Sequence, residues 1–414
     1  MSVLGRRQAV IVFLAFASAY FLSALIRAVT ATLAPTLTAE FALQARDLGL
    51  LSGAYFLGFS LTQLPLGRWL DRHGPRRVLL GFLGVAVLGC LAFASAAGFW
   101  SLIGARTLCG VGVSACLMAP LTGYRRWMTP SAQLRANAWM LMTGSLGMIA
   151  STLPVQWLLP LTGWRPLFVG LAVLLLASMV WITLRVPAWA VRGDAPAAAT
   201  GVAAGYRDVW RHPSFRAMSP VGFFCYGGLL AVQTLWAAPW MTHVGGYTPV
   251  QAAQGLFWIN VAMLCAFWCW GAAGPWLAAR GVVAHRLIVR ALPLSFVLLA
   301  LLIASADRAP EWSGPLLALY CMACSAVTPS QPAVGMAFPS SQAGRALSAY
   351  NLVIFVGVFV IQWGIGLAYD ASVALGAGPV RAFQMAFGLY LLCGVAAYVH
   401  LVVACGHNRW ASSP

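Results

Sequence analysis

The sequence has few charged residues, and this scarcity excludes a water-soluble protein. Only 8% of its 414 residues are charged, whereas 61% are hydrophobic and the mean hydropathy is +0.83. A soluble domain has roughly a quarter of its residues charged. Most of this chain must therefore face lipid or other apolar segments.

Acidic residues are scarcer still, and none lies inside an apolar stretch. The eight carboxylates fall in loops or at the ends of these stretches, and no histidine lies in the middle of one. The sequence also lacks an HExxH motif, a pair of acidic residues and a phosphate-binding loop, so no catalytic cluster can be recognised. We therefore expect no enzyme, and neither a cofactor nor a metal is implied.

What the sequence does contain is twelve apolar stretches, each long enough for a transmembrane helix. A span needs about 20 residues, and backbone groups in lipid must be hydrogen-bonded within the segment. The pattern predicts an all-α membrane protein with twelve transmembrane helices. The predicted spans, numbered 1 to 12 in chain order, are residues 8–36, 46–70, 76–97, 99–124, 133–157, 164–186, 214–243, 249–273, 284–305, 311–338, 341–369 and 380–404.

All 25 basic residues are Arg, and their distribution predicts the topology. Most of them fall on one side of the predicted membrane. Basic residues concentrate on the cytoplasmic side, so both termini are expected in the cytoplasm, with the protein in a bacterial inner membrane. The net charge of +17 is then a topology signal, and no nucleic acid is expected as a partner. The arginines on the other side are Arg46, Arg165, Arg308 and Arg381.

The longest polar interruption divides the chain into two halves. It predicts an N-terminal six-helix bundle at residues 1–187, a cytoplasmic linker at 188–213 and a C-terminal six-helix bundle at 214–414. The pattern GxWLxxxG follows span 2 at Gly67 and span 8 at Gly274. Parallel repeats of this kind place a substrate site between the halves, near the middle of the membrane.

The motif after span 2 resembles a known family signature. Residues 67–77 read GRWLDRHGPRR, which is similar to the G-x-x-x-D-R-x-G-R-R loop of the major facilitator superfamily. The segment around Arg106 is similar to the RxxxG pattern of that family. The resemblance implies a secondary transporter with two pseudo-symmetric six-helix bundles that works by alternating access.

The same resemblance implies a gate in which Asp71 faces the first turn of span 11. The positive end of a helix attracts a carboxylate, and glycines permit tight turns and close helix approach. The neighbouring arginines would complete this latch or bind anionic headgroups, or else only fix the topology. The gating residues are Gly67, Asp71, Arg72, Gly74 and Arg76.

Two arginines within spans indicate the character of the substrate. A charge in the membrane costs several kcal/mol and normally faces a cavity. Arg27 and Arg106 have no acidic counter-charge in the spans, so they favour an anion held by charge-assisted hydrogen bonds. Alternatively, Arg27 extends to the membrane surface, and Arg106 donates to backbone carbonyls near Gly110.

Other polar residues of the spans are candidates for the transport path. Each could instead form a hydrogen bond between helices. Tyr20, Gln331 and Gln362 belong to this group. The further substrate-binding candidates are Gln63, Gln233, Trp236, Asn260, Tyr350 and Asn351.

A looser resemblance connects the N-terminal half to the organic-anion symporter branch of the superfamily. It rests on Arg27, Ala34-Pro35, residues 49–55 and residues 63–67. Ile26 stands where that branch commonly has Asp, which leaves coupling open between a protonated substrate, a path through Asp370 and uniport. The expected partners are a small anion, a coupling proton and membrane lipids, and we expect a monomer. An exporter of drugs or hydrophobic compounds and a non-transporting sensor are the alternatives.

Overall fold

The protein is a bundle of helices, as the computed structural model shows for residues 4–188, 206–280 and 283–407. No β-strand occurs in these described residues. The helices of the described residues account for the twelve predicted membrane spans, so residues 4 and 407 lie at the same end of the bundle. We call this end the terminal face and the opposite end the distal face.

The N-terminal half contains spans 1 to 6. Span 5 bends by 43° before its second helix. The helices are Arg6–Phe41 (span 1), Ala45–Leu61 (span 2), Gln63–Ala94 (the end of span 2 and span 3), Phe99–Val113 with Met118–Trp127 (span 4), Pro130–Ala150 with Leu153–Thr162 (span 5) and Trp164–Arg185 (span 6).

The C-terminal half contains spans 7 to 12. Span 7 includes two π-helical turns, a feature that is frequent at functional sites. These turns are Gly222–Tyr226 and Val232–Trp236. The helices are Pro213–His243 in consecutive segments (span 7), Pro249–Ala279 (span 8), Ala284–Ser305 (span 9), Ser313–Cys324 with Ser330–Met336 (span 10), Ser340–Ala374 (span 11) and Pro379–His407 (span 12).

Two of the twelve spans do not meet a simple length criterion, because each is interrupted and its helices are short. Nine helices of the described chain are long and apolar enough to cross a membrane, and the bent span 5 adds a tenth. The remaining two are spans 2 and 10. Span 2 breaks at Thr62, which leaves Ala45–Leu61 with 17 residues. The 3-10 turn Ser325–Val327 interrupts span 10.

The turn between spans 2 and 3 occurs at Gly74. Its φ of 78° and ψ of 161° lie in a region that residues with side chains rarely adopt. Helix Gln63–Ala94 is therefore two helices that meet at a kink. At Gly67, by contrast, no neighbouring element of the described structure lies within 4 Å of the position that a Cβ would take. A close helix approach at Gly67 therefore stays a prediction.

The two halves touch directly along the distal parts of spans 2 and 11. A Cβ added to Gly49 would lie 2.4 Å from the carbonyl oxygen of Gln362, and one added to Gly366 would lie 2.5 Å from that of Ala45. Small residues allow such close backbone contact between membrane helices. The distal interface between the halves therefore depends on glycine at these positions.

The predicted linker lies largely outside the described residues, which omit 189–205. Gly281, the last residue of the second GxWLxxxG copy, lies outside them as well. The boundaries of the two bundles therefore stay predictions. After the gap, helix Tyr206–Arg211 leads into span 7, and the Tyr206 hydroxyl donates to the Leu64 carbonyl at 3.2 Å. This contact joins the last part of the predicted linker to the end of span 2.

Candidate functional site

Arg27 lies deep in the molecule, on span 1. It is roughly 21 Å before the distal end of this helix at about 1.5 Å per residue, within a hydrocarbon layer of about 30 Å. Its Nε atom is buried without a hydrogen-bond partner. No ion pair in the described part of the chain includes Arg27. The residue as a whole is half-buried. Its depth and its buried Nε do not fit a side chain that extends to the membrane surface, and the positive charge has no acidic partner there.

Arg27 belongs to a cluster with three tyrosines from both halves. It interacts electrostatically with the hydroxyl groups of Tyr55 in span 2 and Tyr226 in span 7. Tyr226 ends the first π-helical turn and also interacts with Tyr20 of span 1. We call these four residues the central cluster. The Tyr55 hydroxyl donates to the Ser23 carbonyl at 3.4 Å. The cluster thus combines a cation with the hydroxyl groups of Tyr20 and Tyr226, which can donate hydrogen bonds to an anion with oxygen atoms.

Arg106 lies behind the central cluster, inside the N-terminal half. It is 0% exposed, and its Nη1 donates to the carbonyl of Ile26 at 2.9 Å. Its guanidinium carbon lies 5.1 Å from the centre of the Tyr55 ring, a distance typical of a cation–π contact. Arg106 therefore holds span 1 next to Arg27 and supports the Tyr55 ring from behind.

The backbone acceptor of Arg106 differs from the one considered in the sequence. Arg106 and Gly110 share one face of span 4 because they are four residues apart. On that face the backbone of Tyr55 packs against Gly110, where an added Cβ would lie 1.9 Å from the Tyr55 carbonyl oxygen. The long Arg106 side chain consequently passes over Tyr55 and reaches span 1.

Most of the polar candidates in the C-terminal half bond to one another. The Gln233 amide donates to Asn260 Oδ1 at 2.9 Å, and the Trp236 indole donates to the Gln362 carbonyl at 3.0 Å. The Gln362 amide in turn donates to the Thr234 hydroxyl at 3.0 Å. These buried residues form a network that ties spans 7, 8 and 11 together. The Oε1 atom of Gln362 is buried without a hydrogen-bond partner in the described structure.

The other three candidates are buried and bonded elsewhere. Gln63 donates to the Phe59 carbonyl at 3.2 Å, and the Tyr350 hydroxyl donates to the Met218 carbonyl at 3.2 Å. Asn351 accepts a hydrogen bond from Gln331. In the described structure none of them forms a hydrogen bond with Arg27, and their part in substrate binding stays a prediction.

A cavity of about 1070 Å³ occupies the distal side between the halves. Residues of spans 1, 2, 7, 8, 11 and 12 line it. Its innermost residue on span 1, Ala31, is one helical turn beyond Arg27. A solute that enters from the distal side would therefore approach the central cluster. The polar lining residues include Thr38, Arg46, His243, Tyr247 and Asp370.

A carboxylate bridges the two halves at the rim of this cavity. Oδ2 of Asp370, near the end of span 11, accepts a hydrogen bond from the backbone nitrogen of Arg46 at 2.9 Å. Arg46 lies in the first turn of span 2, where the helix carries partial positive charge. No pattern in the sequence indicates this contact, which we call the distal latch.

The gating candidates lie near the terminal face. Asp71 is exposed and interacts electrostatically with Arg125 of span 4, in its own half. Arg72 is exposed, and Arg76 donates to the Val186 carbonyl at 3.3 Å. These contacts fasten the loop to the N-terminal half, and the latch between Asp71 and span 11 stays a prediction.

The chain is similar in sequence to known transport proteins. Residues 16–361 match the family model of the Major Facilitator Superfamily. The multidrug resistance protein MdtM of Escherichia coli O157:H7 is 25% identical over 361 residues, which cover 80% of this chain and 82% of that protein. Probable anion transporter 1, chloroplastic, of Oryza sativa subsp. japonica is 25% identical over 346 residues, which cover 76% of this chain but 61% of that protein. A match to MdtM of Salmonella typhimurium, 27% identical over 208 residues, covers 44% of this chain and 48% of that protein.

The fold is similar to that of solved transporters. A D-xylose–proton symporter superposes with a TM-score of 0.76 at 14% identity, covering 94% of this chain and 96% of the other. A bacterial homolog of the human lysosomal transporter Spinster, inward-facing and unoccupied, superposes with a TM-score of 0.73 at 17% identity, covering 97% of this chain and 96% of the other. At these identities the likeness concerns the fold alone.

Proposed function

This chain belongs to the Major Facilitator Superfamily of transporters and is not an enzyme, and on that premise we propose that it carries a small organic anion across the cell inner membrane. Transport proceeds by alternating access, with the central cluster exposed in turn to each face. The observation that carries this proposal is Arg27, a half-buried cation between the halves whose Nε is buried without a hydrogen-bond partner and which has no acidic partner in the described chain.

The charge of Arg27 lies within the membrane without a counter-charge. A charge within the membrane is unfavourable by several kcal/mol unless another group compensates it. A carboxylate can accept two parallel hydrogen bonds from one guanidinium, and the Tyr226 hydroxyl is near enough to interact electrostatically with Arg27. The substrate itself then supplies the missing negative charge. Arg106 acts as a positioning residue, because it holds the span 1 backbone at Ile26.

The relatives support two substrate classes. The rice protein is named an anion transporter, which agrees with the charge of the central cluster. The MdtM proteins are named multidrug resistance proteins, so an exporter of hydrophobic compounds is the second candidate. The aromatic side chains around Arg27 are the observation that favours it. We prefer the anion because the described interior contains no buried carboxylate to attract a cationic drug.

Topology, coupling and oligomeric state complete the proposed function. The excess of arginine on the side of the terminal face supports a cytoplasmic position for that face. A proton is the proposed coupling ion, and the functional unit is a monomer. Asp370 is the acidic residue among the described residues that line the distal cavity, so a coupling proton that crosses from this side could pass through its carboxylate.

Ligand-dependent thermal stability of the purified protein tests the proposal. The panel contains small carboxylates, inorganic anions, amino acids and lipophilic cations, and it is applied to wild type, Arg27→Gln and Arg381→Gln. Arg381 is exposed in the first turn of span 12 and serves as the control for charge loss.

We expect a carboxylate to stabilise wild type and Arg381→Gln but not Arg27→Gln. Hydrogen bonds to a charged group contribute about 1.5–3 kcal/mol, so affinity should fall roughly 10- to 100-fold. Equal stabilisation of all three proteins by lipophilic cations would instead support the exporter, and growth of pump-deficient cells in those compounds would then measure its activity.

A further inference from the structure

We propose that a groove between the terminal ends of spans 1 and 5 binds one anionic phospholipid molecule. The groove has a volume of about 840 Å³. One wall is the face of span 1 that carries Arg6, Val10 and Leu14, and the other is the face of span 5 that carries Arg135 and Trp139. It lies at the outer surface of the bundle, away from the central cluster.

The groove exists because spans 1 and 5 separate toward the terminal face. Deeper in the membrane they touch, and a Cβ added to Gly147 would lie 2.3 Å from the Phe21 carbonyl oxygen. Near the terminal face the Leu4 nitrogen donates to the Trp127 carbonyl at 3.0 Å, which fixes the chain before span 1 against the end of span 4. The opening between the two helices is therefore built into the fold.

The groove has the polarity of a phospholipid. Arg6 is the first residue of span 1, and Val10 and Leu14 follow on the same face at four-residue intervals. Val10 is 50% exposed and Leu14 44% exposed, so this face meets the hydrocarbon of the membrane. Across the groove Arg135 precedes the exposed Trp139 by one turn. Positive charge thus lies toward the terminal face, with an apolar channel for acyl chains beneath it.

The charge of the groove is free to bind an anion. No ion pair in the described ranges involves Arg6 or Arg135, and both side chains are exposed. Basic pockets between membrane helices on the cytoplasmic side are suited to anionic headgroups. A free phosphate would use only the two arginines and leave the apolar walls uncovered. The combination of both features selects the lipid.

Native mass spectrometry of the detergent-solubilised protein, titrated with phosphatidylglycerol or phosphatidylcholine, tests this site. We expect wild type to retain one phosphatidylglycerol in preference to phosphatidylcholine. The double variant Arg6→Gln/Arg135→Gln should bind phosphatidylglycerol roughly 30-fold more weakly, because each basic residue contributes about 1 kcal/mol and 1.4 kcal/mol is tenfold. Arg185→Gln, which removes an exposed arginine at the end of span 6, should bind as wild type does.

Two further measurements separate charge from damage to the fold. Arg6→Lys/Arg135→Lys keeps the charge and should keep most of the affinity. If it binds as weakly as the Gln double variant, or if the Gln double variant binds as wild type does, the proposal is wrong. Inorganic phosphate is added in a parallel thermal-stability assay. Stabilisation by phosphate alone, lost in the Gln double variant, would identify a soluble-anion site and overturn the lipid.

Discussion

Removal of the Asp370 carboxylate should loosen the contact between the halves at the distal face. This carboxylate accepts a hydrogen bond from the Arg46 nitrogen at 2.9 Å, at the positive end of span 2. Loss of a side-chain acceptor at a helix N-terminus costs about 0.5–2 kcal/mol. A difference of 1.4 kcal/mol is a factor of ten. The ratio of distal-open to distal-closed molecules should therefore rise roughly 2- to 30-fold in Asp370→Ala.

Hydrogen–deuterium exchange measured by mass spectrometry detects this opening without a probe attached to the protein. In Asp370→Ala, exchange should increase both in the first turns of span 2 and in the last turns of span 11. The matched control is Asp47→Ala, because Oδ2 of Asp47 accepts from the Gln44 nitrogen at 3.0 Å. This control removes a carboxylate from the same helix end, but the lost contact lies entirely within one half.

The two variants distinguish a bridge between halves from a local cap. We expect Asp47→Ala to raise exchange only at the start of span 2. If Asp370→Ala gives that same restricted pattern, Asp370 is no more than a local cap of span 2. The inference that the distal latch holds the halves together would then be refuted.

Three further results follow from the structure. Gly110→Ala should destabilise the protein by about 1–3 kcal/mol through overpacking. The control Gly104→Ala, which has open space at its Cβ position, should melt in detergent at the wild-type temperature. If Gly110→Ala also melts at that temperature, Gly110 is not required for close packing. Asp71→Asn should slow uptake into proteoliposomes while equilibrium ligand binding persists, and normal uptake would exclude the predicted terminal gate. Arg165→Gln removes the 2.6 Å ion pair with Glu40. Because the two side chains are 44% and 35% exposed, the free energy of unfolding should fall by less than about 1 kcal/mol. A larger decrease, measured by thermal unfolding, would show that this pair stabilises the fold substantially.

The fold was predictable because lipid imposes a simple pattern on the sequence. Long apolar stretches identified the spans. The predicted boundaries are wrong where a helix continues past the hydrocarbon. Span 1 was predicted to end at residue 36, but its helix extends from Arg6 to Phe41 and includes Pro35. Polar residues after position 36 mark the edge of the apolar layer, and they do not prevent the backbone from staying helical.

The site was predictable only where a residue is conspicuous by itself. Arg27 stands out because it is a charge in an apolar stretch. Tyr226 does not stand out, since it follows phenylalanines in an aromatic run. It also lies in a π-helical turn that no residue pattern predicts. The contacts of Arg106 with Ile26 and of Asp370 with Arg46 join residues far apart in sequence. Such pairs are set by how the helices pack against each other.

Uptake of radiolabelled organic anions into proteoliposomes, by wild type and by Arg27→Gln, decides whether Arg27 binds the transported substrate. We expect saturable uptake of at least one small carboxylate by wild type, and its loss in Arg27→Gln while Arg381→Gln transports normally. Undiminished uptake by Arg27→Gln would show that Arg27 does not bind the substrate, and the proposed function would be wrong.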